Sequence, residues 1–260
     1  MSRRRFYVPR DFIRDGVAVL PPSQAHHMRN VLRMGSGDIV EIFDGEGNGF
    51  VGTVEMHGTD AIIRDLKNMP LEKGPVALTL AAALVKSAKF EWMLQKTTEL
   101  GIEEIIPLKT RFSGIQIPES KIDSRLERWT RIVHEASKQC GRFVAPRVRR
   151  PVSFQDLLGI EEMALCTKFF FYEKAGVYWR PEQIPLSARI VICIGPEGGW
   201  DRDEIEQAAK AGYQIFSLGP LVLRAETAAI ASVSIIQHQI RLSLGSPPGS
   251  ACVSPAKNNA

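Results

Sequence analysis

Two glycine-proline segments hold the residues best able to do chemistry. Ile194-Gly195-Pro196-Glu197-Gly198-Gly199-Trp200 follows the apolar run RIVICI and precedes Asp201 and Glu204, which have the spacing of a capping box. Glycines at a strand-to-helix junction let backbone N–H groups approach a ligand closely, so the segment reads as a ligand loop of an open α/β sheet or as a tight turn. The second segment runs from Ser217 through Leu218, Gly219, Pro220, Leu223 and Arg224 to Ala225, Glu226, Thr227 and Ala228, straight into a helical pattern. Two such loops at successive strand ends would border one crevice. Arg224 and Glu226 would contact the ligand there or pair with each other. Neither loop matches GxGxxG or GxxxxGK[ST], which argues against a dinucleotide site and a P-loop. GxSxG and HExxH are absent, and His26, His27 and His238 lack metal-ligand spacing. Cys140, Cys166, Cys193 and Cys252 form no CxxC pair, so no metal site or disulfide framework is expected.

The chain has 260 residues, 44% of them hydrophobic, and a net charge of +4. That is ordinary globular usage, with enough apolar surface for a core. The charge is unevenly spread: residues 109 to 150 contain 11 basic and 4 acidic groups, a net +7, while the other segments are neutral or slightly acidic. Within that block Arg128, Arg131, Glu135, Lys138 and Arg142 recur at helical spacing, opposite a stripe of Leu126, Trp129 and Val133. Such a cationic face is either a solvated surface or a phosphate contact. Arg3, Arg4, Arg5 and Arg10 form a second basic cluster, or else belong to a disordered start. No run of about 18 apolar residues occurs, and MSRRRFYVPR is not followed by a signal-peptide core, so a cytoplasmic protein is expected.

Several elements must position these groups. Residues 1 to 70 hold short strand patterns (Gly16–Leu20, Ile39–Phe43, Gly49–Met56) divided by SGD and DGEGNG turns, which predicts a small β-barrel. A helical insert is expected over Ser23–Val31 with Ser23 as its cap. The polar Asn68–Pro75 reads as a linker. Beyond it the apolar run Val76–Leu84 predicts a strand buried on both faces. It is followed by a helix capped by Ser87 and stopped at Gly101, and by a strand over Ile102–Leu108. A long helix is predicted over Lys121–Cys140, and strands near Ala164–Phe171, Arg189–Ile194 and Gln214–Leu218. A last helix spans Glu226–Leu242. Alternating strands and helices over 75–243 imply an open α/β domain, and residues 244–260 read as a disordered tail.

Together with Gln95-Lys96-Thr97-Thr98-Glu99-Leu100-Gly101, the segment Glu135 to Arg142, His27, Val31-Leu32-Arg33 and the opening Arg5-Phe6-Tyr7-Val8, the two loops resemble the signatures of RsmE-type ribosomal RNA uridine-N3 methyltransferases, of the SPOUT superfamily. The resemblance runs from about Arg5 to Leu242. It departs at Trp200, where phenylalanine is expected, at Val222, where isoleucine is usual, and in the tail. It implies a SPOUT α/β domain with a deep trefoil knot, preceded by a PUA-like RNA-binding barrel, and a homodimer pairing through the knot. S-adenosylmethionine would be held by Ile194, Gly195, Pro196, Glu197, Gly198, Gly199, Leu218, Gly219, Leu223, Arg224, Glu226, Thr227 and Ala228. The substrate would be a uridine of 16S RNA in the small ribosomal subunit, contacted by Arg3, Arg5, His27, Arg33, Arg128, Arg131 and Lys138. An arginine beside the uracil carbonyls would favour loss of the N3 proton: Arg142 first, Arg224 second, with Glu197 as proton acceptor or loop-orienting group. A transfer-RNA-modifying relative and a non-catalytic ribosome-assembly factor are the alternatives.

Overall fold

The computed structural model describes residues 4–69, 76–180 and 189–243. Arg3, most of the expected linker and the expected disordered tail lie outside them. The chain divides into two compact units, one formed by residues 1–74 with 127–147 and the other by 75–126 with 148–260.

In the first unit, β1 (Arg5–Tyr7), β2 (Ile13–Arg14), β3 (Val17–Val19), β4 (Ile39–Phe43), β5 (Gly49–His57) and β6 (Asp60–Met69) form one sheet in the order β1-β4-β5-β6-β3-β2. All pairs are antiparallel except β1 with β4. No ladder joins β1 to β2 among the described residues, so the expected small barrel takes the form of a half-barrel. Its edge strands, three and two residues long, are too short to carry a closing ladder. The expected insert begins one residue early: α1 (Pro22–His26) is entered through Pro21, with no side-chain cap. Ser23 is therefore no N-cap, because Pro22 in the first turn lacks the N–H a cap would satisfy. The chain continues as a π-turn, His27–Val31, and leaves it with Arg33 at φ +53°.

In the second unit, β7 (Ala77–Ala83), α2 (Ser87–Glu99) and β8 (Glu104–Lys109) follow in turn. Lys86, not Ser87, stands at the helix entry; the Ser87 hydroxyl donates to Glu91 and accepts from Arg125. Gly101, at φ +99°, ends the helix as expected. After α3 (Ile122–Cys140) come β9 (Arg147–Val148), β10 (Val152–Ser153), α4 (Phe154–Leu158), α5 (Glu161–Ala164) and β11 (Thr167–Phe171). Then follow β12 (Arg189–Ile194), α6 (Arg202–Lys210), β13 (Gln214–Phe216) and α7 (Ala225–Ser243). The sheet runs β10-β8-β7-β12-β11-β13, with β9 beside β8, and every pair with assigned register is parallel. Ile190 to Ile194 are buried, as a strand covered on both faces requires.

Helix α3 contributes to both units, with residues up to 126 in the second and the rest in the first. Its predicted apolar stripe is buried at Ile122, Trp129, Val133 and Ala136. Within the first unit Tyr7 meets the His134 ring edge-on, and Phe43 meets Phe143.

Candidate cofactor crevice and cationic face

β12 and β13 are not neighbours; β11 lies between them. Their carboxyl ends, with that of β11, border an open crevice. Ile194, Gly195, Pro196, Gly199 and Trp200 line it from the first loop; Ser217, Leu218, Leu221 and Leu223 from the second; Ala225 and Ala228 from the start of α7. The two loops thus share one crevice. Phe171, Tyr172 and Glu173, from the interposed strand, line it as well. Sequence spacing gave no sign of them, since only the sheet order brings β11 between the loops.

The glycines of the first loop are required for different reasons. A Cβ on Gly195 would stand 2.7 Å from the Trp200 indole nitrogen. That indole is buried, donates to the Phe171 carbonyl at 2.9 Å and stacks on Phe170 with centroids 4.3 Å apart, so it cannot yield. A Cβ on Gly198 would stand 2.9 Å from Cβ and 3.3 Å from the carbonyl oxygen of Phe112, on the loop after β8. Gly199 has φ +77°. The Asp201–Glu204 capping box forms as expected: Asp203 N–H donates to Asp201, and Asp201 N–H to Glu204 Oε2. The buried Glu204 also accepts the Arg111 N–H at 3.0 Å through its other oxygen, which ties the 110–113 turn to the entry of α6.

Glu197 and Glu226, next in sequence to lining residues but not themselves in the lining, gather around Lys89 of α2, which sequence reading did not single out. Its ammonium pairs with Glu197 and lies 3.9 Å from Glu226 Oε1. The hydrogen bond from Lys89, with the positive charges of Lys89, Lys86 and Arg224, holds Glu197 below the usual carboxylate range. Arg224 is exposed and its carbonyl accepts the Ala228 N–H, starting α7; Thr227 is exposed and Glu226 buried. The partner of Glu226 is Lys89 rather than Arg224. Glu226 Oε2 has no hydrogen-bond partner among the described residues. A buried carboxylate oxygen left in that state is costly, and a ligand carrying N–H or O–H donors would satisfy it. S-adenosylmethionine carries such donors on its amino group, ribose and adenine. Its apolar portions fit the walls made by Ile194, Leu218, Leu221 and Leu223, so the residues present suit that group.

The expected RNA contacts among the described residues all lie in the first unit. Arg128 and Arg131 are exposed on α3, and His27 and Arg33 are exposed around the π-turn. Arg5 and Lys138 are spent locally. The Arg5 guanidinium is nearly buried, binds Glu41 and the Gly141 carbonyl, and lies 4.7 Å from the Phe143 ring centre. Lys138 pairs with Glu135 and sits 5.0 Å from the Tyr7 ring centre. Neither presents a free cation to a phosphate. Arg142 is half-buried in the turn that ends α3, its N–H bonded to the Ser137 carbonyl.

Comparison with known proteins agrees with this arrangement. Residues 72–237 match the family model of the RNA methyltransferase domain, and residues 20–63 that of the RNA methyltransferase PUA domain. Ribosomal RNA small subunit methyltransferase E of Synechocystis sp. is 34% identical, over 91% of this chain and 77% of its own. The enzyme of that name from Bacillus subtilis is 31% identical, over 85% and 90%. The crystal structure of ribosomal RNA small subunit methyltransferase E from Neisseria gonorrhoeae, bound to S-adenosyl methionine, has a TM-score of 0.78 at 28% identity, covering 91% of this chain and 97% of that one. The chain belongs to the RNA methyltransferase family whose curated members are named ribosomal RNA small subunit methyltransferase E.

Proposed function

We propose that the chain is an S-adenosylmethionine-dependent methyltransferase that modifies N3 of a uridine in the 16S RNA of the small ribosomal subunit. The observation that carries this reading is the crevice built by both glycine loops at the carboxyl ends of β11, β12 and β13, in a member of this family. Ile194, Gly195, Pro196, Gly199, Leu218, Leu223 and Ala228 would hold the cofactor, with Glu226 accepting one of its donors. Gly198 and Gly219 shape the loops, and Thr227 lies in the first turn of α7 beside them. When bound, the cofactor supplies a methyl group already activated on a sulfonium.

The protein's share is to place the acceptor nitrogen and help it lose its proton. Arg224, exposed on the second loop, is assigned to the uracil carbonyls, where its charge would favour the anion. Glu197, fixed by Lys89, orients its loop. Arg142, in the half-barrel unit, is the other arginine assigned to the uracil carbonyls, and Arg128, Arg131, His27 and Arg33 are assigned to the RNA strand. Arg3, outside the described residues, keeps its assignment to RNA from the sequence alone. The finer fold reading is a PUA-like RNA-binding unit and a SPOUT domain in which the segment around Leu218–Ala228 threads an earlier loop as a trefoil knot. In this reading two copies pair through the knotted domain, and the protein works in the cytoplasm.

Small subunits from cells lacking this protein, incubated with methyl-labelled cofactor and mapped base by base, test the reading. Label on a uridine N3 of 16S RNA is the expected result. Label on transfer RNA alone, or tight RNA binding without transfer, would replace it with one of the two alternatives.

A further inference from the structure

The turn after β8 presents Phe112, an aromatic side chain that packing does not explain. It is 46% exposed and makes no ring contact among the described residues. Its backbone is nevertheless fixed. The Thr110 N–H and hydroxyl bond the Ser113 hydroxyl at 3.0 and 2.8 Å, the Ser113 N–H returns to the Thr110 carbonyl, and the Arg111 N–H is held by Glu204. The Phe112 Cβ and carbonyl abut Gly198 so closely that this position excludes a side chain. The neighbours Lys109 and Arg111 are exposed cations. An exposed ring on a rigid turn, flanked by cations and set against the cofactor loop, is what a single-stranded nucleic acid uses as a stacking platform. Sequence-specific RNA recognition splays bases out of their stack and onto such rings.

We propose that Phe112 stacks on an unpaired base of the RNA substrate beside the methyl-transfer site, while Lys109 and Arg111 meet the adjoining phosphates. This rests on the methyltransferase reading above. The variants Phe112→Ala, Phe112→Leu and Phe112→Tyr separate stacking from packing, because all three keep Cβ against Gly198, Leu keeps apolar bulk without a ring, and Tyr keeps the ring.

Methyl transfer to small subunits from cells lacking the protein is measured for each variant, beside calorimetric binding of S-adenosylmethionine. Phe112→Ala and Phe112→Leu should each raise KM for the subunits about tenfold, within the range for losing one stacked base. Phe112→Tyr should restore it, and cofactor affinity should stay within twofold of wild type. A Leu variant with wild-type KM overturns the proposal. So does a Leu or Ala variant whose loss lies in cofactor affinity, since Phe112 would then only support Gly198. Absence of transfer by the wild-type protein itself would instead refute the underlying reading.

Discussion

Replacing Glu204 by glutamine is the sharpest probe of how the crevice is held. Its two carboxylate oxygens accept from two different backbone amides, Asp201 and Arg111, each at 3.0 Å. Glutamine offers one carbonyl oxygen and turns an NH2 donor toward the other amide, so one N–H loses its partner whichever way the side-chain amide is placed. A hydrogen bond to a charged acceptor contributes about 1.5–3 kcal/mol, and an amide left unpaired in a half-buried place adds to the loss. The expected destabilisation is about 2 kcal/mol, which for a chain of this size lowers Tm by roughly 4–8 °C. Glu204→Ala, which abolishes both bonds and the capping box, should cost more. Thermal unfolding followed by circular dichroism measures the series. A Glu204→Gln variant melting within 1 °C of wild type would refute the bridging role, and so would an Ala variant milder than Gln.

Three further outcomes are expected. Gly195→Ala should weaken S-adenosylmethionine binding at least tenfold in calorimetry, because the new Cβ strikes the anchored Trp200 indole; Gly35→Ala, with open space around the new Cβ and no left-handed φ, should leave binding unchanged. Burial alone would raise the Asp44 pKa, yet the Asn48 side chain, the Asn48 and Glu46 amides and Arg10 together hold it below the ordinary carboxylate value. Its contribution to stability is therefore present above that value and lost as pH falls through the depressed one. Urea titrations across pH 2 to 5 should show a shallower acid limb in Asp44→Asn. Arg128→Ala with Arg131→Ala should weaken RNA binding and flatten its dependence on salt, by up to about two units of slope; an unchanged slope would remove that face from the interface.

The parts of the fold that depend on local pattern were legible. The apolar runs became β7 and β12, Gly101 stopped α2, and Asp201 with Glu204 capped α6. The interior stripe of α3 followed from spacing alone. What escaped depended on partners distant in sequence. Arg5 reads as one more N-terminal cation until Glu41 and the Gly141 carbonyl, 36 and 136 residues away, are seen to absorb its charge. Lys89 reads as a surface lysine until Glu197 and Glu226 converge on it. Gly198 has the residue type expected of a ligand loop, but the close neighbour that excludes a side chain is Phe112. The crevice floor from Tyr172 and Glu173 required the strand order, which no periodicity encodes.

The half-barrel unit is discontinuous in sequence, since its sheet is joined by residues 127–147. Its edge strand packs Tyr7 on His134, and Phe43 meets Phe143, so while only the first 74 residues exist these two rings have each other but not the partners supplied by the later segment. During synthesis at about 5–20 residues per second, some 73 further residues take roughly 4–15 s to be made. For that interval the nascent sheet exposes an aromatic edge that its own chain covers only later. The beginning of this protein therefore finishes folding only after part of its middle has been translated, and a chain truncated after residue 74 would lack the 127–147 segment that completes its half-barrel unit.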